Sequence, residues 1–292
     1  MDEHTGQPEG TEPLRPRLAV WATVGQAYAI WFANLGLWLK LSIVPVVLLI
    51  GLNAVAPSVL PDAKDVSAGS VGFAAGFFFF FAIIVYLAEI PLATAWHRYI
   101  LTHEDTASHR YLIGNREWRY LLKALLIALI VLLFSLIVGL VIALVMVPFV
   151  MAMVAGPPTA SLPLIGLVTS LVTLGFYALI GRYLGHLFLM LPAAAIGSNL
   201  SRKDTKAAVK SNEWRLVGVY ALSVVPIWII GVALTFPVDG VAILTSRDLL
   251  GHVPALVFAP VIVGVLSITY RELVQKPEAA SGNTGQSPAT LE

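Results

Sequence analysis

The chain has 292 residues, of which 58% are hydrophobic and only 12% charged, with a net charge of +1 and a mean hydropathy of +0.84. Apolar stretches this long cannot be packed away inside soluble domains of this size, so the composition excludes an ordinary water-soluble globule and points to a membrane-embedded helical bundle. The complete lack of cysteine removes disulfides, thiolate metal sites and cysteine nucleophiles from consideration.

Residues 1–17, MDEHTGQPEGTEPLRPR, are polar and acidic up to Arg15, without the basic start and apolar core of a cleavable signal. They are expected to form a disordered cytoplasmic tail. The stretch LAVWATVGQAYAIWF then reads as an amphipathic lead-in along the membrane surface, with Trp21, Tyr28 and Trp31 at headgroup level. A bilayer core requires roughly 20 apolar helical residues. Six segments qualify: about 34–56; about Val71 to Ala95, through the run Phe77 to Phe81; a third from near Tyr120, checked at Pro148; a fourth from near Leu164; a fifth from near Leu216; and a sixth, VPALVFAPVIVGVLSITY, ending just before Arg271. Residues 277–292 are a second polar tail, so the expected fold is an all-α polytopic transmembrane bundle of about six spans over residues 18–276.

Charge sets the expected orientation, because short cytoplasmic loops retain Lys and Arg. The second-to-third connection carries Arg98, Arg110, Arg116, Arg119 and Lys123, and the fourth-to-fifth carries Arg202, Lys203, Lys206, Lys210 and Arg215. The alternate connections hold only Lys64 between Asp62 and Asp65, an uncharged stretch from Pro148 to Pro163, and Arg247 between Asp239 and Asp248. A bacterial inner-membrane protein with both termini cytoplasmic satisfies every loop. Asn115 and Asn212 are placed to cap helices, Glu117 and Glu213 to sit at positive dipole ends, and Trp118 and Trp214 to anchor at the interface.

Three segments rhyme: NLGLWLKLSIVPVVLLI from Asn34, NREWRYLLKALLIALIVLL from Asn115 and NEWRLVGVYALSVVPIWII from Asn212. Each opens on Asn, has a Trp within four residues and continues as a span, as three tandem parallel hairpins would.

Within the spans, ionisable residues are costly and are the natural functional candidates. These are Glu89 in the second span and Arg182 with His186 in the fourth; a Glu89–Arg182 pair would neutralise both charges. His97, His103 and His109 recur every six residues beside Glu104 and Asp105, but that spacing does not stack side chains on one helical face, so they read as a basic surface loop with no metal site. No nucleophile, P-loop, HExxH or dinucleotide fingerprint occurs. The expectation is therefore a non-enzymatic protein without cofactor or nucleic-acid partner. It engages anionic lipids or a partner protein through Arg98, Arg110, Arg116, Arg119, Arg202, Lys203, Lys206, Lys210 and Arg215. The alternative is a small-solute or lipid transporter built on Glu89, Arg182 and His186.

The segment Arg182 to Trp214, with Leu191-Pro192-Ala193-Ala194, then Ala207, Ala208, Lys210-Ser211 and Trp214, resembles the bacterial six-helix inner-membrane family grouped around the membrane domain of glycerophosphoryl diester phosphodiesterases. Ile196-Gly197-Ser198 stands where that family often carries an acidic residue. The resemblance implies the six-helix layout over residues 18–276 and no phosphodiesterase activity, which would belong to a separate catalytic domain.

Overall fold

The computed structural model describes residues 16–59, 68–104, 114–154, 158–235 and 247–276, and among these every regular element is helical. The chain runs α1 (Val20–Ala33), α2 (Leu35–Val59), α3 (Ala68–Thr102), α4 (Asn115–Val154) and α5 (Pro158–Leu184). A 3-10 turn (Gly185–Leu189) leads into α6 (Met190–Ala195), α7 (Arg202–Val209), α8 (Glu213–Thr235) and α9 (Arg247–Tyr270), the last extended by a π turn at Arg271–Gln275. Four of these helices contain windows long and apolar enough to cross a membrane: Leu35–Leu52, Phe79–Thr102, Asn115–Leu144 and Val172–Ala195. They overlap the first four expected spans; α8 and α9, which carry the fifth and sixth expected segments, are not among the four.

Two boundaries move. The second span does not end at Ala95: α3 continues through Pro91 to Thr102, carrying Trp96, His97 and Tyr99 into the protein interior. Nor does Pro148 end the third: α4 passes it and runs to Val154. A proline forfeits one ladder hydrogen bond, and an apolar sequence with no alternative partner for its backbone continues the helix regardless.

Consecutive long helices pack in pairs, α2 on α3, α4 on α5 and α8 on α9, while α9 also touches α1, α2, α3, α6 and the 3-10 turn. The last helix is thus the hub. Its small side chains explain why: a Cβ on Gly264 would come within 3.4 Å of Ala27 Cβ, so α1 and α9 meet almost backbone to backbone. Val261, Val265 and Ile268 of α9 fill the core together with Leu18, Leu92, Trp96, Leu189, Leu216 and Val219. Trp96 organises this core. Its ring lies edge-on to Trp38 at 5.4 Å and stacks on Tyr99 at 5.5 Å, and its Nε1–H donates to the Pro260 carbonyl at 3.0 Å.

Among the described residues, buried side chains concentrate near the end that bears Arg98, Arg116, Arg202 and Arg215, called here the basic end. Away from it the helices present large apolar residues outward, α4 most of all, where Leu129, Leu136, Ile137, Leu140 and Leu144 are each more than half exposed. Such a belt is untenable in water and normal against hydrocarbon.

Candidate functional site

The basic end is built around α7. Its N-terminus is a capping box: Asp204 N–H donates to Ser201 Oγ at 3.2 Å, while Ser201 N–H donates back to Asp204 Oδ2 at 3.1 Å. That reciprocal pair satisfies two otherwise orphaned amides. Thr205 and Val209 turn inward against the 3-10 and π turns, leaving Arg202, Lys203, Lys206 and Lys210 exposed. Ser211 makes the turn into α8 with a left-handed φ of 75°.

Asn212 is buried, and its side chain clips the N-terminal segment to the bundle, accepting from Leu18 N–H at 2.9 Å and donating to the Pro16 carbonyl at 3.0 Å. Arg215 adds a hydrogen bond to the Leu18 carbonyl at 2.8 Å. The three asparagines that open the repeat therefore all stand at helix junctions but do different work. Asn34 accepts from Tyr99 Oη–H and donates to the Ile30 carbonyl, Asn115 is an exposed first residue, and Asn212 is a long-range tether rather than a side-chain cap. At the start of α4 it is Glu117 that reaches back, accepting from Gly114 N–H at 3.0 Å.

Arg182, on the last turn of α5, lies over the ring of Trp214 at 4.6 Å and near that of Tyr183 at 5.8 Å. Glu89 is half-buried on α3; its electrostatic neighbours are Tyr86 and Tyr120. Among the described residues no ion pair joins Glu89 to Arg182. His186 is buried in the 3-10 turn, its ring held by the backbone of Tyr183 and close enough to feel Arg202 and Lys206. Its Nε2 is enclosed without a hydrogen-bond partner. So the structure brings Arg182 and His186 beside α8 and α7 respectively, and pairs neither with Glu89.

Of the surface cations, Arg116, Arg119, Arg202, Lys203, Lys206, Lys210 and Arg215 are exposed, as are Trp118 and Trp214. Arg98 is ion-paired with Glu104. Arg110 lies outside the described residues, as does His109.

His97 is not on a surface loop. It is wholly buried, its Nδ1 2.7 Å from Ser267 Oγ and its Nε2 3.4 Å from Tyr120 Oη. Because the Ser267 hydroxyl donates to the Val263 carbonyl at 2.8 Å, its oxygen must accept. That fixes the proton on Nδ1 and makes Nε2 the acceptor for Tyr120. A one-directional chain, Tyr120 to His97 to Ser267 to Val263, thus ties α4, α3 and α9 together. Its members lie 23 and 170 positions apart, which is why no local spacing could reveal it. A second feature has a local signature in the sequence. Gly181 and Gly185, spaced as small-x-x-x-small, bring α5 against α8, where an added Cβ would meet Val217 Cγ2 at 3.1 Å and Leu216 Cδ2 at 3.1 Å respectively.

Among the described residues no three His, Asp or Glu side chains are grouped to hold a metal ion. No protein-family model, curated protein or solved structure matches the chain.

Proposed function

We propose that the chain is a six-span bacterial inner-membrane protein of three tandem hairpins, with both termini in the cytoplasm, and that its basic end engages anionic lipid headgroups without catalysing a reaction. The observation that carries this reading is the posture of α7: capped at its start and docked through Thr205 and Val209, it presents Arg202, Lys203, Lys206 and Lys210 outward on a fixed support. Basic residues near an anionic membrane surface contribute about 1 kcal/mol each. Exposed Trp118 and Trp214 at the same end suit the headgroup layer. The likeness to the phosphodiesterase-associated six-helix family belongs to the same proposal.

The test is thermal unfolding of the detergent-solubilised protein with and without phosphatidylglycerol. Wild type is expected to gain stability in a salt-sensitive manner, and a variant with Gln at 202, 203, 206 and 210 to lose most of that gain. An equal gain from phosphatidylcholine would refute the reading.

The enclosed, unpartnered Nε2 of His186 beside Arg182 favours a second reading, a transporter of small solutes or lipids with an internal polar site. Uptake or flipping in reconstituted vesicles, abolished by Arg182→Ala in a folded protein, would support it, and no such activity would remove it.

A further inference from the structure

Arg182 lies inside an apolar window, yet among the described residues no carboxylate pairs with it. A guanidinium at the basic end of an apolar helix, with no counter-charge from the described residues, is an open seat for an anion. Its surroundings are built to hold it still. Gly181 and Gly185 flank it along the chain and press α5 onto Val217 and Leu216 of α8, and the Tyr220 hydroxyl donates to the Gly185 carbonyl at 3.2 Å. Across that seam the guanidinium rests against Trp214, which is 60% exposed, and beside Tyr183, which is 56% exposed. A ring against a guanidinium face leaves the N–H edge free for a planar, two-oxygen acceptor. On α5 toward the apolar belt, Leu179, Tyr177 and Leu174 are exposed on the protein's outside, and Val224 and Val225 do the same on α8. The cation therefore heads two packed helices whose further stretches carry uncovered apolar side chains, the complement of a phosphate carrying acyl chains. A soluble phosphate would have no use for those side chains.

We propose that Arg182, held by Trp214 and Tyr183, anchors the phosphate of one anionic phospholipid seated on the α5–α8 seam. This rests on the reading of the basic end as a lipid-facing surface and adds to it a single ordered site, separate from the dispersed contacts of α7. Charge alone does not make the site: a lysine at 182 would keep the charge but lose the stacked plane and the two-pronged hydrogen bond.

The experiment is native mass spectrometry of the full chain in detergent with equal phosphatidylglycerol and phosphatidylcholine, applied to wild type, Arg182→Lys, Trp214→Leu, Trp214→Phe and a Lys203→Gln, Lys206→Gln, Lys210→Gln triple variant. Circular dichroism checks that each is folded. Wild type is expected to keep one phosphatidylglycerol at collision energies that strip the rest. Arg182→Lys and Trp214→Leu should lower its occupancy about tenfold, and Trp214→Phe, which retains a ring face, should preserve it. The triple variant should keep that lipid while losing weaker ones. A wild type without a uniquely retained lipid, or retention unchanged in Arg182→Lys, overturns the site. If the triple variant loses every anionic lipid, the site falls and the wider surface reading stands. If it loses none while Arg182→Lys strips the tight one, the site stands and the wider reading falls.

Discussion

Asn212 holds Leu18 across 194 positions of sequence, its carboxamide oxygen accepting from the Leu18 N–H while its NH2 group donates to the carbonyl of Pro16. One side chain thereby supplies both halves of a strand-like pairing to a segment that has no neighbouring strand. Asn212→Ala leaves a buried amide and a carbonyl unpaired, and a loss of about 2 kcal/mol is expected. Asn212→Asp should lose less, because its carboxylate can still accept from Leu18. Chemical unfolding in detergent, with limited proteolysis near Arg17, measures both.

The Tyr120–His97–Ser267 chain predicts an order of effects. Ser267→Ala strands the His97 Nδ1–H in a sealed interior and is expected to cost about 2 kcal/mol, whereas Tyr120→Phe gives up only the longer contact and should cost about 1 kcal/mol. His97→Ala adds a cavity and should be the worst of the three, at about 3 kcal/mol or more. Equal effects of Ser267→Ala and Tyr120→Phe would contradict this order.

Helix α7 should respond to acid. The hydroxyl of Ser201, joined by its backbone N–H, holds the carboxyl of Asp204 below the usual carboxylate range. A depressed folded value means that the cap's contribution is fully present above about pH 4, where an unfolded aspartate ionises, and disappears as pH falls through the lower folded value. The protection of amides 202–209 from hydrogen exchange, relative to their intrinsic rates, is expected to fall in that acid window in wild type, and to be low and without that pH dependence in Asp204→Asn.

The glycine pair at the end of α5 and the start of the 3-10 turn can be tested by crowding it. Gly185→Val places side-chain atoms against Leu216 and Tyr220, where even a Cβ would lie within 3.1 Å and 3.3 Å of them. Overpacking of this kind costs about 1–3 kcal/mol. It should also move Arg182 off Trp214, which a change in tryptophan emission would report. Gly139→Val, where an added Cβ meets nothing within 4 Å, is the control.

Much of the layout was legible because it depends on local chemistry. Long apolar runs announce α2 to α5, and Glu117 and Glu213 do stand in the first turns of α4 and α8. Gly197, with φ of 81°, stops α6 where the sequence changes character: Gly197 N–H donates to the Ala194 carbonyl and Ser198 N–H to that of Ala193. The site was harder to read. Spacing groups His97 with His103, yet the helix that carries His97 inward ends only at Thr102, so one histidine is core and the other is the left-handed residue just beyond the helix. Arg182 was recognisable as costly from its position in a span, but its partner is an aromatic ring on another helix, and complementarity between distant segments leaves no periodicity to find.

The position of α9 at the hub has a consequence for how the protein is made. Helices α1, α2 and α3 leave the ribosome long before the segment they pack on, so their buried faces, Ala27, Trp96 and Ile100 among them, wait for a partner not yet synthesised. Assembly is therefore completed from the C-terminal side. A chain released before Val261 to Ile268 has been made would hold most of its helices but leave the faces that pack on α9 uncovered, the kind of product that proteases remove.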